Sequence, residues 1–199
     1  SSDLETWLRE HLEACKELPE AGLCHRLDLG TTGCLVVAKW RPIRERLRRA
    51  MSGDPAARPA KKTYLALVTT GLPPVGRFEL YFSGHETRVR TRESGQAEQQ
   101  GVCRWKLIRP AQTDAKGAEQ FDAIEVGLIG PGRRHQIRAG LSHFGHPLVD
   151  DQTYGGAAWA EGTGWAALHA HRITLDSTTV VAPPPEAWHL EALQTDDPA

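Results

Sequence analysis

The chain has 199 residues, with 24 Lys and Arg against 25 Asp and Glu and 40% hydrophobic residues. That length suits one domain with a real core, and a formal net charge of -1 carries no global mark of a nucleic-acid binder. No apolar run approaches the ~18 residues that a membrane span needs. The four cysteines, Cys15, Cys24, Cys34 and Cys103, show no CxxC spacing, which fits reduced thiols in a cytoplasmic protein and not a disulfide framework.

The elements are best taken in chain order. Ser2 with Glu5 makes a capping box, and Leu4, Trp7, Leu8, Leu12 and Cys15 recur at helical spacing, so residues 3–16 are expected to form an amphipathic helix. Pro19 and Gly22 end it. Residues 1–22 thus read as an N-terminal helix and linker, residues 23–190 as the main domain and residues 191–199 as a polar tail. The apolar run after Thr32 predicts a strand over Gly33–Lys39. Pro42 suits a first helical turn. Ile43, Leu47 and Met51 then form one stripe of a helix whose other faces carry arginines. Residues 41–62 hold eight bases against two acids, a local field that attracts phosphates if it is more than a solvated face.

Lys62–Val68 alternates as a strand does, and Arg77–Phe82, Thr87–Thr91, Gly101–Ile108 and Ala123–Ile129 follow with short polar breaks. This spacing predicts an antiparallel, meander-like sheet. Ala111–Glu119 reads as a surface loop. Arg133–Phe144 returns to helical period, with Ile137, Leu141 and Phe144 toward the core. Ala166–Leu175 and Thr178–Val181 form a closing hairpin around Asp176-Ser177. The expected class is α+β: a largely antiparallel mixed sheet with a few flanking helices.

Three segments carry chemistry. His25-Arg26-Leu27-Asp28-Leu29-Gly30-Thr31-Thr32-Gly33 sets one carboxylate between a cation and a Gly- and Thr-rich turn. Locally, Asp28 could equally cap that turn through its own side chain. Lys61-Lys62-Thr63-Tyr64 is a strand with a basic entrance and one aromatic; Tyr64 alone could be an ordinary strand residue. Gly130-Pro131-Gly132-Arg133-Arg134-His135-Gln136-Ile137-Arg138 opens a helix. Arg134 and Arg138, four apart, are expected on one helical face, where arginine forks match phosphate or carboxylate. The histidines, among them His169 and His171 on one strand face, lack a carboxylate or thiolate complement at metal-ligand spacing, so no metal is expected.

Taken in order, these segments resemble the RluA-type RNA pseudouridine synthases. The resemblance runs from about Leu23 to Trp188 and includes Gly145-His146-Pro147-Leu148-Val149-Asp150-Asp151, Tyr154-Gly155, Leu168-His169-Ala170 and Pro184-Pro185-Glu186-Ala187-Trp188. It implies the pseudouridine synthase catalytic fold and isomerisation of a specific uridine in structured RNA, ribosomal or transfer, without a cofactor. Asp28 would act on the sugar C1′ or the base C6. Tyr64 would sit against the flipped base and help remove the C5 proton, and Arg138 would pair with Asp28 and keep it ionised. Arg26 would help displace or replace the extruded base. Arg41, Arg44, Arg48, Lys62, Arg133 and Arg134 would hold RNA. His25, Leu27, Thr31, His135, Gln136 and Ile137 would support the motifs. A monomer is expected.

The chain also departs from that pattern. Thr32 stands at a usual Ser, and Gly140 at a common His, where the helix is expected to be soft or closely approached. Asp150 replaces a usual Gly, which Asp tolerates at positive φ better than most residues. The strand with a Lys-Pro pair that the family carries ahead of its Asp motif is missing from residues 1–22, so that edge is either trimmed or built differently. If its loss disables the site, the alternative is a non-catalytic RNA-binding module or RNA chaperone. A metal-dependent hydrolase built on the histidines is the third possibility.

Overall fold

The computed structural model describes residues 3–84, 87–111, 121–159 and 162–190. Ser2, most of the expected 111–119 loop and the 191–199 tail lie outside the described residues. The first helix, α1, spans Leu4–His11 and is capped by Asp3, whose carboxylate accepts from the Thr6 amide at 2.9 Å. It is shorter than the expected 3–16 because Leu12 turns extended (φ −125°). A 3₁₀ turn, Glu13–Cys15, follows. The break lets Leu8, Cys15 and Ala21 form a small cluster of their own, while Leu4 and Trp7 stay exposed.

One eight-stranded sheet organises the rest. Its strands are β1 (Thr32–Gly33), β2 (Lys61–Val68), β3 (Val75–Ser83), β4 (Arg90–Arg92), β5 (Gln100–Arg109), β6 (Asp122–Ile129), β7 (Leu168–Leu175) and β8 (Thr178–Val181), in the order β1-β7-β2-β6-β5-β3-β4, with β8 also beside β7. All pairings are antiparallel except β1 with β7. The mixed, mainly antiparallel α+β sheet is as expected. It is not a plain meander, because β2 becomes a central strand between β6 and β7.

The alternation in β2 explains that position. Ala66 and Val68 enter the main core with Phe78, Leu80, Ile124 and Val126, whereas Leu65 and Leu67 face a second cluster with Val149, Trp188 and Leu190. A strand buried on both faces belongs inside a sheet.

The expected strand over Gly33–Lys39 is only two residues long and lies one residue earlier. β1 covers the first part of one edge of β7 (Thr32 opposite His169), and β8 covers the rest (Arg172 opposite Val181). With that edge taken, the chain leaves β7 after the Cys34 amide bonds the Ala170 carbonyl, then pairs locally: Cys24 N donates to Val36 O and Ala38 N to Gly22 O.

Helix α2 (Arg41–Ser52) has Pro42 in its first turn and Gly53 as its left-handed cap. Helix α3 (Gln136–His143) begins three residues later than expected, because His135 is left-handed (φ 50°). Ile137 and Leu141 are buried as expected, but Phe144 falls at the cap and is exposed, its ring beside those of Phe78 and His143. Gly140 is closely approached: a Cβ there would lie 2.2 Å from Phe78 Cζ. Asp150, at the usual Gly position, has φ 60°, a left-handed backbone that Asp tolerates better than most residues.

Candidate active site

Asp28 lies in the turn between Cys24 and β1. The turn closes through its backbone, Thr31 N to Asp28 O at 2.9 Å. The carboxylate, 18% exposed, faces two groups of α3's first turn: Arg138 Nη1 is 3.7 Å from Oδ2 and His135 Nε2 is 4.0 Å from Oδ1. A cavity of about 310 Å³ opens beside it. Tyr64, Leu128, Ile137 and Leu168 give this cavity apolar walls, Arg26, Arg48, Arg133 and Arg134 give it a cationic mouth, and the buried Lys62 also lines it. His25, Leu27, Thr31 and Gln136 complete it. A second cavity, about 340 Å³, meets the first at Arg26, Asp28 and Arg134 and holds His135 and Arg138.

Several residues differ from their sequence-based roles. Arg138 is bonded first to Asp151, through Nε at 2.7 Å and Nη2 at 2.9 Å; only Nη1 is turned to Asp28. Burial alone would lower the Arg138 pKa, but the Asp151 bond and charge outweigh it and raise it. Arg134 precedes α3 and does not share a helical face with Arg138, because His135 interrupts the turn.

Arg44 is not a surface arginine. It is 1% exposed and donates to Leu23 O at 3.2 Å, Glu20 at 2.7 Å and Glu45 at 3.3 Å, so it ties α2 to the segment leading into the Asp28 turn. Lys62 is also buried: its Nζ donates to Met51 O at 2.8 Å, at the carbonyl end of α2, and burial lowers its pKa. Arg41 is exposed at the start of α2 and lines neither cavity beside Asp28. Arg133 reaches the mouth with its Nε bonded to Gln100 O at 2.7 Å. Gln136 braces the same loop, accepting from Arg133 N at 2.7 Å and donating to Val102 O at 3.0 Å.

Tyr64 is pushed up to about 12, mainly by burial and then by the Asp28 charge. It remains a neutral phenol near pH 7. His25 is held down at about 4 by burial and by Lys62; its Nε2 accepts from Val36 N at 3.1 Å.

Asp151 and Tyr154 were quoted in the motifs but given no role. Tyr154 Oη lies 2.9 Å from His135 Nδ1 and accepts from Val89 N at 2.8 Å. With Nε2 facing a carboxylate, the imidazole proton is assigned to Nε2, and the Tyr154 hydroxyl donates to Nδ1. Burial lowers the His135 pKa; Arg138 and Arg134 lower it too, against Asp28 and Asp151. The signal for both roles was the run Asp150-Asp151-Gln152-Thr153-Tyr154, an acid and a phenol near each other and thirteen or more residues past Arg138.

Among the described residues, no helix is long and apolar enough to cross a membrane, and no group of three or more His, Cys, Asp and Glu could hold a metal ion.

A mainly antiparallel sheet with one carboxylate at the base of a cationic cleft, beside an arginine and a buried phenol, defines an α+β domain of the pseudouridine synthase type. Comparison with known proteins agrees. The family model described as RNA pseudouridylate synthase matches residues 1–143. The chain is 37% identical over 142 residues to the ribosomal large subunit pseudouridine synthase D of Yersinia pestis, covering 70% of this chain and 39% of that protein. It is 32% identical over 193 residues to the same-named protein of Nitrosomonas europaea, covering 92% of this chain and 47% of that one. The chain therefore spans less than half the length of these relatives. It belongs to the RNA pseudouridylate synthase family, and within it to the RluA type. Two solved human structures share the fold. RNA pseudouridylate synthase domain containing 4 has a TM-score of 0.62 at 19% identity over 85% of this chain and 73% of that one. RNA pseudouridylate synthase domain containing 1 has 0.60 at 23% over 82% and 68%.

Proposed function

We propose that the chain converts a uridine in structured RNA to pseudouridine, with Asp28 as the acting carboxylate. The observation that carries this reading is the position of Asp28, at a cavity with apolar walls and a cationic rim, facing Arg138 Nη1 and His135 Nε2 without a tight bond to either. A carboxylate so placed keeps lone pairs for the substrate.

In this scheme the uridine leaves its stack, which unpaired loops make less costly, and its uracil enters the Tyr64 cavity. Asp28 attacks C1′ or C6, and its bond to that carbon is released as the new C5–C1′ bond is made or after it, which returns the free carboxylate. The N1–C1′ bond breaks, the uracil turns, C5 bonds to C1′, and the C5 proton is lost as N1 gains one. Atoms are conserved, so no oxidant, reductant or cofactor is needed. Tyr64, a phenol at neutral pH, acts as a wall for the base; it can take the C5 proton only if its own proton passes on. Arg26, Arg48, Arg133 and Arg134 hold phosphates at the rim. Arg44 and Lys62 shape the cleft from behind. Arg41 lines neither cavity and is given no part in holding this nucleotide.

The relatives are named for the large ribosomal subunit, which favours ribosomal over transfer RNA and a cytoplasmic site of action. All the groups invoked come from one chain, which supports action as a monomer. The presence of Asp28, Tyr64 and Arg138 around one cleft favours an enzyme over a binding module.

Pseudouridine mapping on total RNA tests the reading, in cells lacking the endogenous gene and expressing wild type or Asp28→Asn. A site present only with wild type is expected, with the variant still folded. Modification by Asp28→Asn would overturn it.

A further inference from the structure

We infer that the second cavity is a subsite for the nucleobase next to the target uridine in the RNA strand, which stacks on Trp165 while its phosphate meets Arg26 and Arg134. The inference rests on the reading of Asp28 as the group that acts on a uridine. The two cavities share Arg26, Asp28 and Arg134. The first has Tyr64, Leu128 and Ile137 as walls, an apolar lining that suits the extruded uracil. The sugar then sits at the shared boundary. An RNA strand continues from that sugar, and the second cavity lies directly across the boundary.

Its lining is unusual for a protein surface. Leu29 is 77% exposed and Trp165 is 47% exposed, both large apolar side chains open to solvent beside the acting carboxylate. Exposed apolar surface grouped at a polar rim marks a contact site. The indole is also seated. Gly30 has φ +81°, and a Cβ there would fall 2.5–2.7 Å from Trp165 Cβ, Cγ and Cδ2, so the Asp28 turn accommodates the ring only because residue 30 has no side chain. Trp165 is thereby fixed to the same turn that carries Asp28.

The charges suit a nucleotide. Of the three acids in this cavity, Asp151 is engaged by Arg138, Asp150 accepts from the Trp159 amide at 2.8 Å, and Asp28 faces Arg138 Nη1 at 3.7 Å. Arg26 and Arg134 lie at the rim, both exposed. The volume of about 340 Å³ falls at the low end of small-ligand pockets. Every base has a π face, so a tryptophan platform binds a neighbour with little regard for its identity.

The test uses a single-stranded RNA hexamer with a central uridine and 2-aminopurine beside it, and a matched hexamer with an abasic residue in that place. Wild type is expected to bind the base-bearing hexamer more tightly and to quench its fluorescence. Trp165→Ala should lose roughly tenfold in affinity on that hexamer and little on the abasic one, and Trp165→Phe should keep most of both. Equal binding of the two hexamers by wild type, or an equal loss on both in Trp165→Ala, would overturn the subsite. Pseudouridine formation is scored separately in cellular RNA. A base-dependent loss without any modification would sink the isomerase reading and leave the subsite, whereas modification with no base-dependent binding would do the reverse.

Discussion

The turn that carries Asp28 is held from two sides, and each side uses its buried cations differently. On the α2 side, Arg44 donates to Leu23 O and two carboxylates, and Lys62 donates to Met51 O. All three Arg44 nitrogens are taken up by a carbonyl and by acids that reach solvent, and Lys62 is tied to a carbonyl. On the α3 side, Arg138 and Asp151 are both buried, two of the three guanidinium nitrogens bind that one carboxylate, and the third is turned to Asp28. The first side supports the backbone, whereas the second also sets the field at the carboxylate. What separates a structural arginine from a functional one here is whether any of its fork is left over.

The sharpest way to break this contrast is Asp151→Asn. It leaves a buried guanidinium without its charge partner, a change that costs about 3–5 kcal/mol. Urea unfolding should show that loss. Turnover should also fall at temperatures where the variant is folded, because Arg138 then has only Asp28 to pair with. A loss below about 1 kcal/mol would mean that the pair does not anchor this side.

Next in size is a pH effect from the α2 side. His25 Nε2 accepts the Val36 amide, so it must be unprotonated in the fold. Its pKa is about 4 in the folded chain and ordinarily 6.5. The unfolded chain therefore takes up a proton below about pH 6.5 that the folded chain refuses until about pH 4. Stability is full above that window and falls as pH drops through it, by up to about 3 kcal/mol. His25→Gln, which can still accept the Val36 amide, should flatten the slope of stability against pH between 4 and 6.5. The slope will not vanish, because burial also lowers His135, His169 and His171. An unchanged slope would show that His25 is not held neutral.

Much of this was readable from the chain. Alternation in β2 and the hairpin β7–β8 depend on period-2 patterns that burial on defined faces imposes. Asp28, Tyr64 and Arg133–Arg138 were placed by motif order, and each of them lines one or both of the two joined cavities. What was not readable depended on distant elements. Residues 34–39 could not be told from a paired strand until β8 claimed the edge of β7. Arg44 and Arg48 sit on one helix at ordinary spacing, and only the path of residues 20–23 beneath α2 decides that Arg44 is buried. His135 looked helical because its left-handed backbone leaves no mark on composition. Asp151 stood in a motif without a role, because its partner Arg138 meets it only after the chain reverses at Gly145 and Pro147.

The smallest expected effect sharpens the comparison from the other end. Glu20 is 59% exposed and lies 2.7 Å from Arg44 Nη2 and 3.9 Å from Arg48. Replacing it by Gln removes one charge from Arg44 but leaves Leu23 O and Glu45 in place. The pair is open to solvent only on its Glu20 side, and Arg44 keeps its other partners, so the loss is expected near the exposed-pair figure of about 0–1 kcal/mol and not that of a fully buried pair, and salt screens it. Glu20→Gln should therefore lower stability by less than about 1 kcal/mol, with the difference shrinking in high salt, while pseudouridine formation is unchanged. Thermal unfolding at low and high salt measures both. A loss near that of Asp151→Asn would make Arg44 as dependent on a single acid as Arg138, and the two sides of the Asp28 turn would then be built alike.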